Sequence, residues 1–266
     1  MKTQELLWED GKTVTLYTLK NEKIEADILT FGGTVTAIRV PDKDGNFVNV
    51  AMCHENLTDY AHKGGYVGAL IGRFGNRIGK ATFCIGGKTY TVNANEKGNC
   101  LHGGLKGFDK KHWKVLSAKE TELVLSYLSP DEEEGFPGNL EVTVTYSLTE
   151  SGLLISYKAV SDKDTTINLT NHSYFNLAGH DHPERAMEQT LILPARFFTP
   201  ADAKSIPTGE KRSVAGTPMD FRTPKPIGQR IEEDYDALHL QGGYDHNFEV
   251  WCNPCAVLHD PISGRT

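Results

Sequence analysis

The sequence has 266 residues, which is enough for one large domain with a substantial core or for two small domains. Its 28 Lys and Arg against 35 Asp and Glu give a formal net charge of -7, which argues against a protein that binds the phosphate backbone of nucleic acids. No apolar run approaches the roughly 20 residues of a membrane span, and the N-terminus leads into a charged stretch without an apolar signal core. We therefore expect a cytoplasmic protein whose partners are neither nucleic acids nor membranes. A monomer is compatible with the sequence.

The 5 cysteines and 10 histidines form no convincing disulfide or metal pattern. An odd number of cysteines without a signal peptide favours free thiols. Cys252 and Cys255 form a lone C-x-x-C motif, but a zinc site would need a second pair of ligands and a redox site would normally open a helix after a strand. His180 and His182 come nearest to the spacing of zinc ligands, in a loop flanked by Gly and Pro. We expect no bound metal.

Most segments of the sequence predict β-strands joined by tight turns. Alternating polar and apolar residues, the two-residue period of a strand, recur along the chain with turn sequences between them. In chain order, the expected elements are a hairpin turn at Asp42–Gly45, a short helix from Asn56 to His62, a hairpin turn at Ile85–Lys88, strands over Glu122–Leu128, Leu140–Tyr146 and Leu153–Ala159, and a second helix from Pro226 to Leu238. Many short strands with few helices indicate an antiparallel sandwich or barrel.

The most informative segment runs from Thr166 to Leu177. Its first half alternates polar and apolar residues, and a continued period would place six polar or aromatic side chains on one face: Thr166, Asn168, Thr170, His172, Tyr174 and Asn176. The other face would carry the apolar residues Ile167, Leu169, Phe175 and Leu177 beside Asn171 and Ser173. A face of hydroxyl, amide and imidazole groups differs from ordinary solvent surface, which is richer in Lys and Glu. It suits a ligand that is itself a ring of hydroxyls.

A glycine-rich stretch from Gly72 to Gly79 contains two arginines, Arg73 and Arg77, and the sequence leaves their roles open. One interpretation is a buried arginine with a structural role. The other is a fork of donors for the oxygens of a substrate.

Two further segments place ionisable side chains beside glycines. His102 precedes two glycines, so its backbone can bend sharply and approach a ligand closely; the alternative is a loop histidine that is hydrogen-bonded to its own turn. Asp245 also follows a pair of glycines, and its carboxylate could accept hydrogen bonds from sugar hydroxyls or cap a turn. Together with His172 and the arginines, these residues lie on separate elements, as in a site that a folded sheet assembles.

Three other kinds of catalytic site have weaker support. The glycines of Gly72–Gly79 do not follow the dinucleotide-binding spacing, and a strand rather than a helix is expected after them. The G-x-S-x-G elbow of a serine nucleophile is absent from the sequence. A pair of acidic residues for glycoside hydrolysis stays open, because their spacing is spatial rather than sequential.

In combination, these segments resemble the aldose 1-epimerase (galactose mutarotase) family. The matching motifs stand in the family's order over nearly the whole chain: Ile28–Gly33, Gly75–Ile78, Leu101–Gly104, Asn171–Leu177, Met219–Arg222 and Tyr244–Phe248. The resemblance implies an all-β fold, a large antiparallel β-sandwich of the galactose mutarotase-like supersandwich type with few short helices, and a sugar in an open cleft. It also implies interconversion of the α and β anomers of hexoses such as galactose and glucose, without metal or organic cofactor.

The resemblance assigns a role to each candidate residue. His172 would be the general acid that protonates the ring oxygen of the sugar, and His102 would lie near that oxygen and orient or assist. Asn76 and Arg77 would bind sugar hydroxyls, and Asp245 would hold further hydroxyls. The partner would be a small-molecule aldohexose. A histidine with an ordinary pKa of about 6.5 suits the acid role, because it can give and regain a proton near neutrality.

One part of the family pattern has no match in this sequence. The family's base is a glutamate on a late strand, followed shortly by a glutamine, whereas this chain stops at Ser263–Thr266 in what resembles a hairpin. Glu141 and Glu188 lie in different contexts. We therefore expect residues 1–266 to form a single aldose 1-epimerase-like domain that lacks its last strands, as a truncated product or as a shortened relative. We also expect the chain as written to have little mutarotase activity.

Three functions remain in competition at this point. The leading prediction is an aldose 1-epimerase, and the alternative is a non-catalytic carbohydrate-binding relative, because the expected glutamate lies beyond the chain end. A third is a sugar-phosphate epimerase, which would need additional basic residues for the phosphate. Anomer exchange with and without the protein separates the first two, and a comparison of galactose with glucose 6-phosphate tests the third.

Overall fold

The structure is a computed structural model that describes residues 1–266, and its regular elements are mostly β-strands. The strands are β1 (Lys2–Leu7), β2 (Thr13–Lys20), β3 (Glu25–Leu29), β4 (Thr34–Pro41), β5 (Phe47–Asn49), β6 (Leu70–Ile71), β7 (Arg77–Ile78), β8 (Thr82–Ile85), β9 (Lys88–Thr91), β10 (Cys100–Leu101), β11 (Lys114–Lys119), β12 (Glu122–Ser129), β13 (Leu140–Leu148), β14 (Leu153–Ser161), β15 (Thr170–Asn171), β16 (Thr190–Ile192), β17 (Phe197–Thr199), β18 (Arg212–Ser213), β19 (Lys225–Pro226), β20 (Asn247–Glu249) and β21 (Val257–His259). The α-helices are α1 (Asp59–His62) and α2 (Asp236–Gln241). Short 3₁₀ turns lie at Gly79–Ala81, Phe108–Lys110, Glu133–Gly135, Pro183–Glu188 and Ile227–Arg230.

The chain divides into two compact units. The first consists of Met1–Pro41 and Asn46–Phe175, and the second consists of Asp42–Gly45 and Asn176–Thr266. The single domain that the sequence suggests over residues 1–266 stays a prediction. No helix combines the length and the apolar character that a membrane span requires.

The first unit contains two antiparallel sheets that pack on each other. One has the order β1-β2-β3-β4-β5 and the other the order β11-β12-β13-β14. Both contribute to one buried cluster, in which Ile28 and Val35 of the first sheet join Leu125, Val142 and Tyr146 of the second. Full burial of an aliphatic or aromatic side chain of this size contributes about 1.5–3 kcal/mol. The predicted antiparallel β-sandwich is therefore confirmed.

The predicted strands and hairpins of this unit are also confirmed. Strands β12, β13 and β14 contain the three expected alternating segments, and the buried residues of β13 recur at every second position. Strands β8 and β9 pair around Gly86 and Gly87, which have φ angles of 57° and 79°. Such positive φ angles are what a two-residue hairpin turn requires. Strands β4 and β5 pair on either side of the turn expected at 42–45.

The helix predictions are only partly right. The first expected helix is reduced to α1, and the second is wrong as a continuous element, because a 3₁₀ turn at Ile227–Arg230 is separated from α2. Tyr235, the residue before α2, has extended backbone angles. Only Ala237 and Leu238 of this region are buried, so the middle of the segment has no apolar face to bury. Without such burial, a short helix is marginal in water.

The second unit is built from two small antiparallel sheets. Their orders are β19-β16-β21 and β18-β17-β20. Its core consists of five buried side chains: Phe198, Val214, Met219, Ala237 and Leu238. Next to it, the carboxylate of Asp220 accepts two hydrogen bonds from Arg222, at 2.8 and 2.6 Å, and this arginine holds the pKa of Asp220 at about 2.

Candidate active site

Two histidines that are far apart in the sequence meet in the first unit. The rings of His102 and His172 have centroids 5.1 Å apart and are nearly perpendicular. The segment 70–78 accounts for their meeting, because its strand β6 pairs with β15, which precedes His172, and its strand β7 pairs with β10, which precedes His102. Strand pairing with one short segment thus positions the backbone next to both histidines.

Asn76 fixes the orientation and the tautomer of His102. The backbone N–H of Asn76 donates to Nδ1 of His102 at 2.9 Å, and the backbone N–H of His102 donates to the carbonyl of Asn76 at 3.1 Å. A nitrogen that accepts a hydrogen bond carries no proton, so the neutral ring of His102 has its proton on Nε2.

The surroundings of His102 keep this ring neutral. Burial lowers the pKa of His102 to about 4, and the electrostatic effects of the neighbouring His172 and Arg77 act in the same direction. At neutral pH, His102 is therefore a hydrogen-bond donor through Nε2–H rather than a group that exchanges protons readily.

Backbone hydrogen bonds hold His172 from both sides. Its N–H donates to the carbonyl of Ala69 and its carbonyl accepts from the N–H of Gly68, both at 2.9 Å. The side chain of Asn171 also donates to the carbonyl of Gly68, at 2.8 Å. The main chain at His172 is therefore fixed relative to the segment that precedes β6.

The expected polar strand face around His172 is not formed as predicted. Regular pairing is limited to β15, and the supposedly buried face is interrupted, since Ile167 is 40% and Phe175 is 54% exposed. The two-residue period requires a continuous strand, and this segment pairs only briefly with its neighbours. His172 and Tyr174 nevertheless lie side by side, with ring centroids 4.9 Å apart.

Tyr66, which the sequence did not single out, completes the aromatic surroundings of the two histidines. Its ring contacts His102 edge-on at 4.7 Å and lies 6.0 Å from His172. Tyr66 has a φ angle of 53°, which is uncommon for a residue with a side chain. Burial raises the pKa of its hydroxyl, so the phenol is neutral. No sequence motif signals this contact, because it depends on a loop that leads into β6.

The two arginines of the glycine-rich stretch have different environments. Arg73 is buried and donates to Ser129 and to the carbonyls of Pro130 and Pro137, at 2.7–3.0 Å. It therefore has the structural role. Arg77 is half-buried and donates from Nε to Glu96 at 3.2 Å and from Nη1 to Oδ1 of Asn76 at 3.5 Å, which leaves the other donors of its guanidinium group for a ligand.

Asp245 lies in the second unit, where it belongs to a turn. Its N–H donates to the carbonyl of Gly243 at 3.2 Å. The preceding Tyr244 packs on Phe221 at 5.0 Å and donates to the carbonyl of Pro218 at 3.1 Å. The structure thus brings together His102, His172, Asn76 and Arg77 in the first unit, while the role of Asp245 stays a prediction.

The first-unit site combines donors, an aromatic wall and an acid–base group. Imidazole, amide and guanidinium groups suit the binding of a polar, uncharged molecule with several oxygens. Nowhere in the chain do three His, Cys, Asp or Glu side chains come together in a way that could hold a metal ion. The expectation of a reaction without metal or cofactor stays a prediction.

Comparison with known proteins identifies the family and agrees with the fold. The sequence model of the family described as aldose 1-epimerase matches residues 15–266, and the chain therefore belongs to this family. Galactose mutarotase of Homo sapiens is 41% identical over 261 residues, which cover 96% of this chain and 74% of that protein. Aldose 1-epimerase of Haemophilus influenzae is 38% identical over 258 residues, which cover 95% of this chain and 74% of that protein.

A solved structure is similar over almost the same region. Galactose 1-epimerase from Lactobacillus acidophilus matches with a TM-score of 0.86 and 30% identity, over 97% of this chain and 77% of that one. The predicted family and the predicted mutarotase-like sandwich are confirmed.

Proposed function

We propose that this protein is an aldose 1-epimerase that interconverts the α and β anomers of hexoses such as galactose and glucose by acid–base ring opening. The observation that carries the proposal is the pair of imidazoles of His102 and His172, 5.1 Å apart, with His102 fixed as an Nε2–H donor. The names of the relatives support galactose as a substrate.

The chemistry requires two proton movements at neighbouring oxygens. A proton leaves the anomeric hydroxyl, a proton reaches the ring oxygen, and the bond between the anomeric carbon and the ring oxygen breaks. The open-chain aldehyde rotates about its bond to the next carbon and recloses on the other face. The sugar regains its proton count, so no oxidant or reductant is needed.

Both histidines act at the ring oxygen, one as the proton donor and the other as a hydrogen-bond donor. His172 delivers the proton to the ring oxygen and takes it back when the ring recloses. His102, whose pKa is about 4, stays neutral and donates a hydrogen bond from Nε2 to the same oxygen. General acid catalysis of this kind typically contributes about 100- to 10,000-fold.

The remaining candidate residues bind the hydroxyls of the sugar. Asn76 is exposed beside the histidines, and Arg77 next to it retains free donors while Glu96 holds its Nε. Tyr174 is 43% exposed and offers an aromatic surface beside His172. Asp245 is proposed to hold further hydroxyls. We also propose a cytoplasmic location and no nucleic-acid partner, and both stay predictions, as does the monomeric state.

The proposal is tested by anomer exchange of α-galactose, followed by two-dimensional exchange NMR. Formate is included as a soluble carboxylate base, so that a rate dependent on His172 is measurable whatever base the chain itself supplies. We expect acceleration over buffer that His172→Asn abolishes and that the matched surface variant His62→Asn retains. The earlier expectation that residues 1–266 accelerate exchange only slightly is tested by the same assay without formate.

The alternatives give different results in these measurements. Binding of galactose, seen by saturation-transfer NMR, without any exchange in either buffer would support the carbohydrate-binding function and contradict the proposal. A rate that is higher with glucose 6-phosphate than with galactose would support the sugar-phosphate epimerase.

A further inference from the structure

The turn that carries His102 has an unusual backbone. His102, Gly103 and Gly104 have φ angles of 53°, 94° and 104°, and the N–H of Gly104 closes the turn on the carbonyl of Leu101 at 3.1 Å. Positive φ is uncommon for a histidine, and such conformations persist only where surrounding contacts hold them.

Asn95 holds both ends of the turn through its side-chain amide. Its Oδ1 accepts from the N–H of Leu101 at 2.7 Å, and its Nδ2 donates to the carbonyls of Leu101 at 3.0 Å and Gly104 at 2.8 Å. The amide thus pairs with both backbone groups of the residue before His102, as a neighbouring strand would. These partners also fix which end of the amide carries the oxygen.

The backbone of Asn95 is itself anchored. Its N–H donates to the carbonyl of Asn99 at 3.0 Å, and the N–H of Asn99 returns to the carbonyl of Glu96 at 2.8 Å. Since Glu96 also accepts from Arg77, this small loop contacts two elements of the site.

Tyr66 lies between Asn95 and the ring of His102. Nδ2 of Asn95 is 3.4 Å from the hydroxyl of Tyr66, whose ring contacts His102 edge-on. One side of the imidazole is thus covered by Tyr66, while the N–H of Asn76 occupies Nδ1.

We propose that Asn95 is a positioning residue, which holds Leu101 and Gly104 so that His102 keeps Nδ1 on the N–H of Asn76 and presents Nε2–H as a donor. Its consequence for catalysis rests on the proposed function, whereas its effect on the tautomer of His102 does not.

The test is the tautomer of His102, measured by ¹⁵N NMR of ring-labelled histidine in the full 266-residue chain at neutral pH. His102→Asn assigns the signals. We expect a single Nε2–H tautomer in the wild type and a mixture of tautomers in Asn95→Ala. Asn95→Asp, which has nearly the same shape but cannot donate to the two carbonyls, should show the same change. Asn139→Ala is the matched control, because the amide of Asn139 also bonds a backbone group, the N–H of Asp131, and a side chain, the carboxylate of Asp162. This variant should leave the tautomer of His102 unchanged.

The kinetic measurement separates positioning from general stability. With formate present, we expect kcat for galactose to fall about 10- to 100-fold in both Asn95 variants with little change in KM, because a displaced donor reduces stabilisation of the transition state more than it reduces substrate binding. An unchanged tautomer in both folded variants would overturn the proposal whatever the rates, and an altered tautomer with unchanged kcat would overturn its catalytic part. A tautomer change in a chain that shows no exchange even with formate would support positioning and contradict the proposed function.

Discussion

Asn76 and His102 exchange a reciprocal pair of hydrogen bonds, in which the N–H of Asn76 donates to Nδ1 at 2.9 Å and the N–H of His102 donates back to the carbonyl at 3.1 Å. Because the acceptor is a ring nitrogen, the backbone of one residue sets the tautomer of the other. A backbone donor cannot be removed by a side-chain substitution at Asn76. The orientation of His102 is therefore tied to the local fold of the segment that also leads to Arg77.

The depressed pKa of His102 predicts a loss of stability in acid. The pKa is about 4 in the folded chain and about 6.5 in an unfolded one, so the unfolded state binds more protons between these values. The free energy of unfolding is unaffected by His102 above about pH 6.5 and decreases as the pH falls below that value. The total loss from this residue, reached below about pH 4, is at most on the order of 3 kcal/mol. We expect His102→Gln to reduce this acid dependence in urea unfolding. Identical pH dependence in the two proteins would contradict the assignment.

Arg73 and Arg77 should differ in what their replacement changes. Arg73→Lys leaves buried carbonyls without donors, so we expect a loss of about 3–5 kcal/mol in unfolding free energy. Arg77→Lys keeps a positive charge beside Glu96, so it should lose less unfolding free energy than Arg73→Lys and raise KM for galactose. Thermal unfolding and exchange kinetics on both variants check this, with Arg196→Lys as an exposed control. Equal destabilisation by the two substitutions would be inconsistent with the structure.

Tyr66 should act through its ring more than through its hydroxyl. Tyr66→Phe keeps the edge contact with His102 and loses only a long hydrogen bond, so exchange should stay within about twofold. Tyr66→Leu removes the ring and should lower kcat about tenfold. Tyr90→Leu, the same replacement at a half-buried tyrosine that stacks on Phe83, provides the control. A larger loss of exchange rate in Tyr66→Phe than in Tyr66→Leu would show instead that the hydroxyl matters more than the ring.

Gly103 is expected to tolerate no side chain. A Cβ there would lie 1.9 Å from the carbonyl oxygen of Gly72, whereas a Cβ at Gly86 would meet nothing within 4 Å. Both positions have positive φ, so Gly86→Ala measures the backbone cost alone. We expect Gly103→Ala to lose at least about 1–3 kcal/mol more in chemical denaturation. Similar midpoints for the two variants would show that the turn can shift.

The sequence predicts the fold and the two histidines better than it predicts their surroundings. Alternation in β12, β13 and β14 identifies strands because these elements are long and bury one face. Around His172 the same pattern misleads, because only two residues pair regularly. The glycine-rich stretch by itself leaves the roles of Arg73 and Arg77 open, and only the family resemblance singles out Arg77. The carbonyls around Arg73 give the physical reason for the difference.

Asn95 and Tyr66 lie beyond what sequence patterns can show. An asparagine in a loop usually signals a turn, and nothing local reveals that its amide reaches the turn of His102. The positive φ angles of Tyr66, Asn76 and His102 likewise depend on contacts between distant segments.

The central claim is that His102 and His172 act together on one oxygen of the sugar. Its most direct test is the rate of galactose anomer exchange, with formate present, in His102→Gln, His172→Gln and the double variant. We predict that His172→Gln lowers the enzymatic rate about 100- to 10,000-fold. The double variant should be little slower than that, because groups that act as a unit are not additive. Exchange at the wild-type rate in His172→Gln, or equal and independent losses from the two substitutions, would contradict the account.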